Sequence, residues 1–183
     1  MIKKITFGTR GSPLALIQTN IVISKLKLLY PHIEYTTKVI ETHGDKDQQA
    51  SLTLTEHLGL FASQIQESLI NEEIDVAVHS LKDLPSTLSD DLIYIGSPQR
   101  EDARDVFVST KWKTIDEVPK GGMIATGSVR RKAQLLSHRP DINIVGLRGN
   151  VDTRLAFLES GRFDALVLSE AGLLRLGLDG CVS

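Results

Sequence analysis

Short strand-like runs alternate with longer helical patterns along the whole chain, and this rhythm constrains the fold more than any other feature. Lys4–Gly8, Tyr35–Ile40 and Ile74–His79 are rich in residues that favour strands, and segments with helical periodicity separate them. Such alternation predicts sheets covered by helices. We therefore predict an α/β fold in which each sheet is mixed, mostly parallel and flanked by helices.

The alternation restarts near Arg100, which predicts two lobes, 1–98 and 99–183, with a ligand cleft between them. Leu92–Ile95 is predicted to be a further strand of the first lobe. The strands predicted for the second lobe are Val106–Val108, Met123–Thr126, Ile142–Leu147 and Ala165–Leu168. The predicted helices are Leu14–Leu29, Leu60–Asn71, Val129–Ser137, a helix from Gly149-Asn150 to Gly161, and Ala171–Leu176. Ser12 is expected to cap the first helix, with Pro13 at its first position.

Composition excludes several classes of function. The net charge of −2 argues against a general nucleic-acid binder, and no apolar run reaches the ~18–20 residues of a membrane span. The single cysteine, Cys181, excludes an intrachain disulfide framework and favours a cytoplasmic, reducing compartment. No signal peptide is expected at the start of the chain. The five histidines lack metal-ligand spacing, so no metal site is expected.

Three predicted strand-to-helix turns carry or adjoin arginine: Thr9–Ser12, Thr126–Ser128 and Arg148–Asn150. Helix N-termini present free N–H groups, and ligands of α/β sheets gather at the carboxyl ends of strands. The arginines concerned are Arg10, Arg130, Arg131, Arg148 and Arg154. Together the turns favour a ligand with several carboxylates or phosphates, although ordinary helix capping with incidental arginines explains any one of them.

A predicted buried strand ends directly in Ser80-Leu81-Lys82-Asp83, before Pro85 blocks a helix. An ammonium and a carboxylate at the mouth of a strand form a candidate acid/base pair. The alternative is a local surface pair of little energetic value. A polar stretch, Thr42–Leu58, is predicted to be a mobile and functional loop because loops of this length are uncommon.

Six stretches of the sequence, in order, resemble one known family. They are Thr9–Leu16, His79–Pro85, Arg100–Asp105, Thr126–Arg131, Leu147–Leu155 and Ala171–Leu178. The chain resembles the porphobilinogen deaminases (hydroxymethylbilane synthases), and the resemblance implies two lobes similar to type II periplasmic binding proteins. It also implies an enzyme that joins four porphobilinogen molecules with loss of ammonia, on a dipyrromethane cofactor held through a cysteine thioether. The implied partner is this small molecule alone, with no nucleic acid or membrane, and the implied state of the full-length protein is a monomer.

The resemblance also implies roles for individual residues. Asp83 matches the catalytic aspartate, which stabilises the cation left after ammonia departs. The positions that match cofactor-binding residues are Ser80, Lys82, Asp83, Thr126, Ser128, Arg130 and Arg131. The positions that match substrate-binding residues are Arg10, Ser12, Arg148, Arg154 and Arg175.

The chain departs from the family pattern in two respects. Leu58 stands where a lysine is common, so we expect a loop contact with substrate to be absent or supplied by His57 or Lys46. The returning strand of the first lobe and the third, cofactor-bearing domain are expected to be missing. Cys181 is not in the matching context for cofactor attachment. We therefore expect the 183-residue chain to be inactive alone.

Two other hypotheses stay open at this stage. A non-catalytic, two-lobed protein that binds small anions predicts the same α/β rhythm but not Lys82-Asp83 beside the arginine turns. A phosphate-ligand enzyme would use the same helix termini, but the sequence has neither a Walker-type motif nor a GxGxxG fingerprint.

Overall fold

The computed structural model describes residues 2–41 and 63–181, in two compact units, residues 1–99 (unit 1) and 100–183 (unit 2). The predicted loop Thr42–Leu58 lies outside the described residues, as do Lys46 and His57. None of the described helices combines the length and hydropathy that crossing a bilayer requires.

Unit 1 has a three-stranded parallel sheet in the order β2-β1-β3. Its elements are β1 (Lys4–Thr9), α1 (Pro13–Leu29), β2 (Glu34–Val39), α2 (Ser63–Ile70), β3 (Val76–Ala77) and a 3₁₀ turn, Leu81–Asp83. Phe7 and Ile65 are fully buried in its core. The consecutive residues Phe7, Gly8 and Thr9 of β1 are all buried, as is typical of a parallel strand that is covered on both faces.

Unit 2 has a four-stranded sheet in the order β4-β7-β5-β6, in which only the β4–β7 pair is antiparallel. Its strands are β4 (Asp105–Val108), β5 (Met123–Ala125), β6 (Asn143–Val145) and β7 (Ala165–Ser169). Its helices are α3 (Val129–His138), α4 (Val151–Glu159) and α5 (Glu170–Leu176), with 3₁₀ turns at Ile115–Glu117 and Asp179–Cys181.

Strand β7 shows why unit 2 has three layers. Leu166 and Leu168 pack into a core cluster that includes residues of α4 and α5, whereas Ala165 and Val167 pack into a second cluster with Leu135 of α3. Side chains alternate between the faces of a strand, so a wholly apolar strand requires a helical layer on each side.

The strand predicted over Leu92–Ile95 is wrong. These residues have no regular structure, and the side chains of Ile93, Tyr94 and Ile95 are 82%, 52% and 73% exposed. An apolar run becomes a strand only where a neighbouring strand accepts its backbone hydrogen bonds, and the described residues of unit 1 place none there. The strand predicted over Ile74–His79 is also shorter than expected, although backbone bonds from Asp75 and Val78 to β1 extend it by a residue on each side.

Candidate functional site

The carboxyl ends of β1 and β3 lie side by side in unit 1, because the two strands are parallel neighbours. The backbone N–H of Val78 donates to Gly8 O at 3.1 Å, which places the residues after both strands at one edge of the sheet. The turn that begins at Thr9 leads into α1. Ser12 caps this helix, as predicted, because its Oγ accepts from Ala15 N at 3.4 Å and Pro13 opens the first turn.

Ser80, in the motif that follows β3, is hydrogen-bonded to α1. The Ser80 hydroxyl donates to Gln18 Oε1 at 3.1 Å, and Gln18 Nε2 donates to Ser80 Oγ at 3.0 Å. Lys82 and Asp83 follow in the 3₁₀ turn, and both are exposed. The backbone N–H of Asp83 donates to Ser80 O at 2.9 Å, so the turn holds the carboxylate close to the sheet edge.

His79 connects the charged residues of this edge. Burial lowers the pKa of His79, the Asp83 carboxylate raises it and the Arg10 guanidinium lowers it. The buried Nε2 of His79 has no hydrogen-bond partner among the described residues. A neutral imidazole therefore lies within electrostatic range of both Arg10 and Asp83. The structure brings these two predicted site residues close to His79, which was not predicted.

The two arginine-bearing turns of unit 2 are in direct contact, because they follow the adjacent parallel strands β5 and β6. Thr126 is buried, and its N–H donates to Val145 O at 2.9 Å. A Cβ added to Gly127 would lie 2.6 Å from Leu147 O, so only glycine allows the first turn to pass this carbonyl. Ser128 caps α3, with its Oγ accepting from Arg131 N at 3.3 Å.

Arg130 and Arg131 share one carboxylate, that of Asp105 at the start of β4. Arg131 Nη2 lies 2.6 Å from Asp105 Oδ1, and Arg131 Nε lies 3.0 Å from Oδ2. Arg131 Nη1 also donates to Val167 O at 3.0 Å. Arg130 reaches Asp105 through one contact at 3.3 Å. The Arg131 side chain is only 13% exposed, whereas that of Arg130 is 65% exposed.

Two further arginines of unit 2 are half-buried and make no ion pair within the described residues. Arg154 Nε donates to Gly149 O at 2.8 Å, and Gly149 has a left-handed φ of +107°. Burial lowers the pKa of Arg154, and the nearby charge of Arg131 lowers it further. Arg175, on α5, has a buried Nε with no hydrogen-bond partner among the residues that the structure describes. Because a buried charge is costly without a partner, both guanidinium groups favour an anionic ligand.

Arg148 is half-buried in the second turn of unit 2, close in sequence to Gly149. Its place beside the Thr126–Ser128 turn follows from the contact between the two turns. Unit 2 thus gathers Thr126, Ser128, Arg130, Arg131, Arg148 and Arg154 at one edge of its sheet, and unit 1 gathers Arg10, Ser12, Ser80, Lys82 and Asp83 at one edge of its own. No cluster of potential metal ligands occurs in residues 2–41 and 63–181.

Three residues of these edges were not predicted from the sequence. Asp105 and His79 lie inside the matched stretches but received no role, and Gln18 lies outside them. Asp105 pairs with Arg131, which is 26 positions away in the sequence, and Gln18 pairs with Ser80, which is 62 positions away. The only available signal was the position of Asp105 and His79 at the two ends of strand-like runs, where side chains reach the sheet edge.

Comparison with known proteins identifies the family. The sequence model described as "Porphobilinogen deaminase, dipyromethane cofactor binding domain" matches residues 5–182. A porphobilinogen deaminase from Listeria innocua is 48% identical over 177 residues, which cover 97% of this chain and 57% of the relative. One from Clostridioides difficile is 46% identical over 98% of this chain and 60% of its own length. The chain thus spans less than two thirds of these curated relatives.

Solved structures establish the fold class. A probable amino-acid ABC transporter extracellular-binding protein, YtmK from Bacillus subtilis, has a TM-score of 0.52 at 15% identity, covering 100% of this chain and 77% of its own. A periplasmic sulfonate-binding protein, SsuA from Methylobacillus flagellatus, has a TM-score of 0.51 at 16% identity, covering 96% and 54%. The predicted α/β fold class, with lobes like those of type II periplasmic binding proteins, is confirmed.

Since the matched sequence model spans nearly all residues of this chain, the chain belongs to the porphobilinogen deaminase family.

Proposed function

We propose that the protein is a hydroxymethylbilane synthase, a transferase that joins four porphobilinogen molecules with loss of ammonia during tetrapyrrole and haem biosynthesis. The observation that carries this proposal is the pair of half-buried guanidinium groups, Arg154 and Arg175, that make no ion pair within the described part of unit 2. Each pyrrole of the substrate and product carries an acetate and a propionate. Carboxylates match guanidinium groups in both charge and geometry.

The residues of unit 2 fit the dipyrromethane cofactor of the family. The hydroxyl groups of Thr126 and Ser128 and the exposed guanidinium of Arg130 are hydrogen-bond donors, and the cofactor carries four carboxylates that accept such bonds. We propose that Thr126, Ser128, Arg130 and Arg131 hold cofactor side chains, and that Arg148, Arg154 and Arg175 hold substrate or the growing chain. When bound, the cofactor supplies the pyrrole position from which the chain is extended. In unit 1, Ser80 and Lys82 are proposed to bind cofactor, and Arg10 and Ser12 to bind substrate.

Asp83 is the proposed catalytic residue. When the C–N bond of the protonated aminomethyl group of porphobilinogen breaks, the electron pair leaves with nitrogen as neutral ammonia and the methylene carbon is left positively charged. The exposed carboxylate of Asp83 is free to approach such a carbon, and an ionised carboxylate stabilises it electrostatically. A new C–C bond to the next pyrrole then forms, and the proton released from that ring carbon passes to a base, a task that suits the same carboxylate.

Turnover of porphobilinogen tests this proposal. The protein expressed from its complete reading frame is incubated with porphobilinogen, and ammonia release and a red product with an aldehyde reagent are measured. We expect both in the natural protein and a strong loss of turnover, with retained pyrrole binding, in Asp83→Asn. Asp91→Asn is the matched control, because Asp91 is an exposed aspartate on the loop that follows this motif.

Each outcome of this assay separates the alternatives. Binding of small anions without ammonia release would favour a non-catalytic binding protein. Normal turnover by Asp83→Asn would remove Asp83 from the mechanism and leave the family function in place.

We also propose a cytoplasmic location, which is consistent with a chain that contains a single cysteine.

A further inference from the structure

Asp105 is the central acceptor of the arginine cluster in unit 2, and no role has been assigned to it so far. Its two carboxylate oxygens accept from Arg131 Nη2 at 2.6 Å and from Arg131 Nε at 3.0 Å. Arg130 Nη2 lies 3.3 Å from the second oxygen. Val167 O accepts from Arg131 Nη1 at 3.0 Å. Three of the five N–H groups of Arg131 are therefore engaged, and its guanidinium is held in one orientation.

The position of the two arginines explains why they need a carboxylate nearby. Arg130 and Arg131 lie in the first turn of α3, where the helix dipole presents partial positive charge and disfavours cations. Arg154 adds a third guanidinium whose charge interacts with that of Arg131. Asp105 offsets one of these three charges, so the cluster keeps a net positive charge and still attracts an anion.

We propose that Asp105 is a positioning residue for carboxylate binding: it fixes Arg131, and with it Arg130, so that their remaining N–H groups meet a ligand carboxylate as a preorganised pair. The inference rests on the proposed function only for the identity of that ligand. Preorganisation raises affinity because a bound carboxylate need not then immobilise a flexible arginine. The two side chains differ in how firmly Asp105 holds them: Arg131 is 13% exposed and bidentate, whereas Arg130 is 65% exposed and is held by one contact at 3.3 Å.

A second bidentate pair in unit 2 provides a matched control. Asp141 accepts from Arg139 Nε at 2.7 Å and from Arg139 Nη2 at 2.8 Å, and Arg139 also donates to Val118 O at 2.8 Å. This pair precedes β6, at the opposite end of the parallel strands from the arginine cluster. Asp141→Asn therefore removes the same kind of ion pair without touching the cluster.

The test combines a spectroscopic measurement with a binding measurement on the 183-residue chain. Arginine Nε–H signals are recorded by ¹H–¹⁵N NMR, and calorimetry measures the affinity for succinate and for porphobilinogen. We expect Asp105→Asn to broaden or shift the Arg131 signal and to weaken binding of both probes by about tenfold. We expect Asp141→Asn to alter the Arg139 signal and to leave both affinities unchanged.

The outcomes distinguish this inference from the proposed function. If Asp105→Asn binds the probes as tightly as the natural chain, or more tightly, Asp105 does not position the arginines for binding. If succinate binds and responds to Asp105→Asn but porphobilinogen does not bind, the proposed substrate fails and the role of Asp105 stands. If neither probe binds the natural chain, both fail. Should Asp105→Asn not fold, Asp105→Glu, which keeps the charge but displaces it, is judged by the same criterion.

Discussion

Gly127→Ala tests whether the two arginine-bearing turns of unit 2 are in contact. The added Cβ would lie 2.6 Å from Leu147 O, whereas carbon–oxygen contacts are ordinarily about 3.3–3.6 Å. One of the two turns must therefore move by about 0.7 Å or more. Overpacking of this kind costs about 1–3 kcal/mol, and the reduced entropy of the unfolded chain offsets about 0.4–1 kcal/mol of it. We expect a net loss on the order of 1–2 kcal/mol in the free energy of unfolding.

Thermal unfolding of the natural chain and the variant measures this loss. For a domain of the size of unit 2 (residues 100–183), each kcal/mol lost from the free energy of unfolding lowers Tm by about 4–8 °C. Gly146→Ala is the matched control, because no heavy atom lies within 4 Å of its added Cβ and its φ is outside the left-handed region. We expect the control to melt at or slightly above the Tm of the natural chain. If the two variants melt at the same temperature, the turns do not pack as described.

Three further predictions concern single side chains. Burial lowers the pKa of His79 below 6.5, so the folded state binds fewer protons than the unfolded state and the free energy of unfolding falls as pH drops through 6.5. Urea titrations at several pH values should show that the free energy of unfolding of His79→Asn falls less over the same range. The hydrogen bonds from Arg139 hold the pKa of Asp141 at about 2, below its ordinary 3.8. The ion pair therefore stabilises the fold above pH 3.8, and this stabilisation is lost as pH falls towards 2. Asp141→Asn should lower Tm at pH 6 and leave it unchanged near pH 2. Gln18→Ala removes the bond to Ser80 and should cost about 1 kcal/mol of stability, measured by chemical denaturation.

Local chemistry made parts of this fold predictable from the sequence. Ser12 and Pro13 define the start of α1 through a cap and a fixed φ, both of which act within four residues. Strand β7 was placed to within one residue because its apolar run is buried on both faces. The family resemblance, confirmed by comparison, came from six motifs, three of which lie at strand-to-helix turns.

Contacts between distant residues were not predictable in the same way. The apolar run Leu92–Ile95 has strand-like composition, but composition does not reveal whether a partner strand exists. Asp105 meets Arg131 only because β4 and α3 are brought together by the sheet. The same holds for Gln18 and Ser80, on α1 and after β3. The predicted site residues are each carried by a single turn, whereas the residues that support them lie on other elements and were not predicted.

The central claim is that Arg154 and Arg175, two half-buried arginines that make no ion pair within the described part of unit 2, bind the carboxylates of a pyrrole. Calorimetric titration of the chain with porphobilinogen tests it most directly. Arg154→Gln should weaken binding by at least about tenfold, because charge-assisted hydrogen bonds contribute ~1.5–3 kcal/mol. Arg162→Gln should leave it unchanged, since Arg162 is exposed and its guanidinium stacks on Phe157 at 4.2 Å. Equal affinity of Arg154→Gln and the natural chain for porphobilinogen would contradict the claim.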